Sequence, residues 1–136
     1  MNHIQILTYW VIPTFMLLIG IGIIIVWAAD ILKGKFSHMG SLFRWTNDGG
    51  DLMWPHLTAE FLTAAGLIIS AIALPGQQNW ALYLTLSSLG ALFYTSLNSL
   101  GWVFAKKERR PYGVPMLVAL IGTACSIAII IIYNQI

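Results

Sequence analysis

Residues His56–Leu74 read HLTAEFLTAAGLIISAIAL, an apolar run interrupted by one charged side chain, Glu60. A run of about 18 or more apolar residues is long enough to cross a hydrocarbon core of roughly 30 Å as a helix. Three more windows read the same way, approximately Val11–Ala29, Ala81–Ala105 and Val114–Tyr133. Lipid offers no partner to an unpaired backbone group, so only a helix or a closed barrel can span it. None of the windows alternates apolar and polar residues as a barrel strand does. The expected fold class is an all-α membrane protein, a four-helix transmembrane bundle forming a single transmembrane domain over residues 1–136.

Composition agrees. The chain is 58% hydrophobic and 9% charged, against roughly 25% charged in soluble chains. So much apolar side chain could not be hidden from water in 136 residues, and lipid is the expected solvent for much of it. A lone cysteine, Cys125, excludes an intrachain disulfide and a paired-cysteine redox site. The first residues, MNHIQILTYWVIPTF, lack the basic start of a secretory signal, and the segment is expected to stay as a span. Aromatic residues fall at the expected span ends: Tyr9, Trp10, Trp27, Trp54, Trp80, Tyr83, Trp102 and Tyr133. That is the pattern of an interfacial belt. Pro75-Gly76 closes the second span.

Lysine and arginine set the orientation. Lys33, Lys35 and Arg44 lie in the first loop, and Lys106, Lys107, Arg109 and Arg110 in the third; the second loop has none. Cytoplasmic loops carry the basic excess. Loops one and three are therefore expected in the cytoplasm, with both termini outside the cell membrane. The first loop contains FSHMGSLFRW, residues 36–45. Its apolar spacing suits a short interfacial helix; an irregular loop dipping its aromatics into the interface fits equally well.

The chemistry concentrates around Asn47–Glu60, NDGGDLMWPHLTAE. His56 and Glu60 are four residues apart and share one helix face. An ionisable group at that depth is costly against lipid and should point into the bundle. In the third span, Tyr94, Asn98 and Gly101 share a face, and Ser87, Ala91, Thr95 and Ser99 form a small-residue row. Small residues let membrane helices approach closely. The expectation is that Tyr94 and Asn98 converge with His56 and Glu60 in one layer on the cytoplasmic side. Asp48 and Asp51 would stand at its mouth, with Arg109, Arg110 and Tyr112 opposite. These residues form the candidate ligand-binding set.

Plainer readings stand beside each element. Asp48 and Asp51 suit capping of the second helix. Gly49-Gly50 lacks the lysine and spacing of a phosphate loop. One histidine and one glutamate make half a metal site, and zinc wants at least three protein ligands; no metal or cofactor is expected. The polar layer as a whole also suits interhelical glue.

The strings WPHLTAEFLTA and YTSLNSLGW resemble those of uncharacterised small four-span bacterial integral membrane proteins. The resemblance covers about half the chain and implies a four-helix membrane bundle with no activity attached. From the residues themselves, the leading function is a cytoplasmic-side polar pocket for a ligand, a lipid headgroup or a partner subunit. The alternatives are an enzyme acting on a lipid or isoprenoid substrate through Glu60 and His56, and an ion or proton path in an oligomer. The expected partners are the lipid bilayer and a homo-oligomer or larger membrane complex, with no nucleic acid.

Overall fold

A computed structural model of the chain describes residues 3–32, 53–105 and 107–134. All the regular structure in them is helical. A short helix α1 (His3–Ile6) runs through a π-helical turn, Leu7–Val11, into α2 (Ile12–Leu32). Pro13 explains the wide turn. Its ring crowds the carbonyl four residues back and it donates no N–H, so the chain winds one residue wider and Ile12 N donates to Leu7 O.

Helix α3 (Met53–Ala73) carries Pro55 in its first turn, where no intrahelical N–H bond is lost. It ends in a 3-10 turn, Leu74–Gly76, and Gln77 takes a left-handed conformation with φ 54°. Gln77 N donates to Leu74 O at 3.0 Å and Ala81 N to Gln78 O at 2.9 Å. That tight turn starts α4 (Asn79–Ala105) back alongside α3. A second 3-10 turn, Lys107–Tyr112, leads into α5 (Gly113–Asn134).

Among the described residues, three stretches are long and apolar enough to cross a membrane: His3–Ala29, Leu57–Gly76 and Arg110–Tyr133. Helix α4, with 27 residues, is as long as the longest of them but falls short in apolarity. Its hydroxyls and asparagines are the cause. What the structure carries is thus an all-helical bundle with three such stretches rather than four.

Each long helix packs on the next in sequence, α2 on α3, α3 on α4 and α4 on α5, while α5 touches α2 only slightly. The core is a strip of Ile12, Met16, Ile23, Trp27, Leu57, Leu67, Leu89, Leu92 and Ile130. Close approach of α3 and α4 depends on Gly66, where a Cβ would lie 2.6 Å from Ser88 Oγ. One close approach of α2 to α5 is also made at a glycine. A Cβ on Gly122 would lie 2.6 Å from Phe15 Cε2. Beyond it, Tyr9 and Tyr133 meet edge to face with centroids 6.1 Å apart.

The expected interfacial segment of the first loop, residues 36–45, lies outside the described residues.

Candidate functional site

Helices α2 and α5, which touch only slightly, leave a groove between them beside the third loop. It has a volume of about 150 Å³. Leu18, Gly22 and Val26 form one wall, with Pro115, Met116 and Ala119 on the other. Leu92 and Ser96 of α4 and Glu60 of α3 line its inner end, and Tyr112 also lines it. Leu18 and Val26 are exposed at the lip. The groove is therefore an apolar slot that opens sideways and ends on a carboxyl group.

Glu60 is 2% exposed. Ser99 Oγ donates a hydrogen bond to its Oε1 at 3.2 Å, and the Trp27 indole N–H donates a second. These donors come from α4 and α2, the two neighbours of α3, so the carboxyl group ties three helices together. A buried charge is tolerated only with such partners.

Other buried hydroxyls spend themselves locally. Thr123 Oγ1 donates to Ala119 O at 2.6 Å, Ser126 Oγ to Gly122 O at 2.7 Å, and Thr95 Oγ1 to Leu92 O at 3.3 Å. Between α3 and α4, Ser70 and Ser88 hydroxyls lie 3.4 Å apart. Thr85 Oγ1 is buried with no partner among the described residues.

The structure divides the residues singled out from the sequence. Glu60 lies at the groove's inner end and Tyr112 on its lining. Tyr94 and Asn98 do not join them. Both lie on the exposed side of α4, and Tyr94 is 66% exposed. Thr95, Ser96 and Ser99 face inward instead. The small-residue row divides too: Ser87 is exposed and Ala91 half-buried, while Thr95 and Ser99 are buried. Positions four apart advance about 40° around a helix with 3.6 residues per turn, so a long row of them drifts from one side to the other.

Arg110 is exposed. Asp48 and Asp51 lie outside the described residues, as do the side chains of His56 and Arg109. Among the described residues, no group of three His, Cys, Asp or Glu side chains could hold a metal ion.

Trp27 is the main correction to the sequence reading. Placed there in the interfacial belt, it is 2% exposed and hydrogen-bonded to Glu60. The signal was available in part, since Met16, Gly20, Ile23 and Trp27 share one face of α2 and all are buried. In a helix apolar all round, nothing in the sequence separates that face from the others.

An all-helical bundle of long apolar helices, cross-linked by buried polar contacts, defines a class of architecture consistent with a multi-pass membrane protein. Within that class the chain belongs to the family described as Domain of unknown function (DUF8058), whose model matches residues 8–136. No curated protein and no solved structure matches it.

Proposed function

We propose that this chain is a four-span protein of the cell membrane that binds a lipid-like molecule sideways, in the groove between α2 and α5. In this reading α4 is the fourth span. Its 27 residues make a helix of about 40 Å, ample for a hydrocarbon core of roughly 30 Å. The basic first and third loops put the groove on the cytoplasmic side, with both termini outside.

One observation carries the binding reading: a buried carboxyl group closes the inner end of a slot that is otherwise apolar and open to the side. Apolar cavities of about 150 Å³ accept a group the size of benzene. The slot therefore suits one hydrocarbon segment rather than a bulky polar solute. Glu60 would accept a hydrogen bond from a hydroxyl or amine carried on that molecule, and Tyr112 lies where the slot meets the third loop. The polar end recognises and the apolar walls hold, as in most small-molecule sites.

The test uses the full chain in nanodiscs with a long-chain primary amine and the matching alcohol, each carrying a diazirine. Photolabelling should map to peptides bearing Gly22 or Met116, and Gly22→Leu should abolish it by filling the slot. Glu60→Gln should weaken amine labelling more than alcohol labelling. Labelling spread evenly over every lipid-facing helix, unaffected by Gly22→Leu, would overturn the reading.

A further inference from the structure

The groove between α2 and α5 changes character along its length. At the third loop it is lined by Tyr112, the last residue of the 3-10 turn Lys107–Tyr112. Lys107 and Arg110 of that turn are both exposed. Three residues apart in a 3-10 helix, they stand on one face, about 6 Å apart along its axis. Arg110 is two residues from Tyr112, so its backbone lies within about 7 Å of a lining residue. Residues 106–110 read KKERR, a basic cluster of the kind that holds anionic headgroups beside a membrane helix.

Depth along the groove follows from the contacts between helices. A Cβ on Gly113 would lie 3.5 Å from Val103 Cγ1, so the start of α5 is level with Val103 of α4. Ser99, which donates to Glu60, is four residues deeper, about 6 Å along the helix. Leu92 is seven residues further, about 10 Å deeper again. Ser96, itself 2% exposed, lines the groove between those two levels. Past Glu60 and Ser96 the lining is Ile19, Leu18, Ala119 and Leu92. From the loop inward the order is cations, then a carboxyl group and a hydroxyl, then hydrocarbon.

We propose that the occupant of this groove is a lysophospholipid of the cytoplasmic leaflet. Its phosphate meets Lys107 and Arg110, its free glycerol hydroxyl meets Glu60, and its one acyl chain follows the apolar walls. The inference rests on the groove binding a lipid-like molecule and names the class. A slot of about 150 Å³ suits one chain rather than two. A diacyl lipid also has its glycerol oxygens esterified and brings Glu60 no donor there. The glycerol hydroxyl can donate to Glu60 and accept from Ser96 at once. A long-chain amine would satisfy Glu60 but would be repelled by the two cations at the mouth. The step of about 6 Å between mouth and Glu60 keeps the phosphate in water, where the high dielectric weakens its repulsion from the carboxyl group.

The experiment uses the full chain in phosphatidylcholine nanodiscs, with the diazirine alcohol as the label to be displaced from the groove. Monooleoylglycerol phosphate should displace it at about tenfold lower concentration than monooleoylglycerol. Lys107→Gln with Arg110→Gln should erase that advantage and leave monooleoylglycerol unchanged. Lys33→Gln with Lys35→Gln takes the same charge from the first loop and should leave the advantage intact. The 2-deoxy analogue, which lacks the hydroxyl, should compete about fivefold less well than its parent, as should dioleoylglycerol phosphate. Three results would each overturn the proposal while leaving a lipid-binding groove in place. They are equal displacement with and without phosphate, an advantage lost as fully with the first-loop pair as with the turn pair, and a diacyl competitor as good as the monoacyl one. Displacement by none of these molecules would remove the groove reading, and this inference with it.

Discussion

Ser99 on α4 donates a hydrogen bond to the Glu60 carboxyl group on α3 across 3.2 Å, in a contact where both residues are no more than 2% exposed. Trp27 of α2 donates to the same group. One side chain thus joins three helices at the closed end of a groove.

Loss of one donor should be mild and loss of both severe. Ser99→Ala and Trp27→Phe each remove one hydrogen bond, and single interhelical polar contacts are worth about 0.5–2 kcal/mol. The first loss leaves Glu60 the other of these two donors; the second takes both away from a buried carboxyl group. The double variant should therefore lose more than the sum of the single losses, by at least about 0.5 kcal/mol. Reversible unfolding in mixed micelles measures this, and simple additivity would show that the two donors do not act on one group.

Gly66→Ala should destabilise the α3–α4 contact by about 1 kcal/mol, the low end of overpacking, because the Ser88 hydroxyl can rotate away from the new methyl group. The new Cβ would sit 2.6 Å from Ser88 Oγ but 3.4 Å from Ser88 Cβ. Adding Ser88→Ala removes the oxygen and should recover most of the loss. A double variant as unstable as Gly66→Ala alone would place the clash elsewhere.

The same substitution should have opposite signs at two other glycines. Gly122→Ala drives a Cβ to within 2.6 Å of the Phe15 ring and should lower the unfolding midpoint. Gly22→Ala meets nothing within 4 Å, and alanine favours helix by about 0.5–1 kcal/mol over glycine. It should be neutral or stabilising. Parallel thermal melts of the two variants decide the matter, and equal effects would contradict the packing described.

Thr85→Val should stabilise the protein by about 1 kcal/mol, because a buried hydroxyl without a partner costs about 1–3 kcal/mol and valine keeps the shape. The Thr85 hydroxyl has no partner among the described residues. A loss of stability on substitution would mean that the hydroxyl is bonded after all.

The helices themselves were legible because their cause is local. Apolar runs mark where long helices lie, as α3, α4 and α5 show, whereas the first helical stretch begins at His3, eight residues before the window at Val11. Glu60 stood out for a similar reason, as a lone charge in an oily run. The site's other members did not. Trp27 looked like a belt residue by its position near a span end, and Tyr94 with Asn98 looked like an inward pair because they share a face with each other.

Periodicity says which residues share a face; it does not say what that face meets. For α4 the two faces are both polar, with Thr95, Ser96 and Ser99 on one and Ser87, Tyr94 and Asn98 on the other, so the pattern alone could not choose between them. By itself the sequence determined an all-helical chain of long apolar helices with one carboxyl group at depth, because those properties belong to single segments. Only the tertiary structure decided that α2 and α5 part to leave a groove, that Trp27 and Ser99 meet Glu60 in it, and that Asn98 faces away. Those outcomes depend on helix rotation and on the close approaches made at residues such as Gly66 and Gly122, which are properties of pairs of helices rather than of any one.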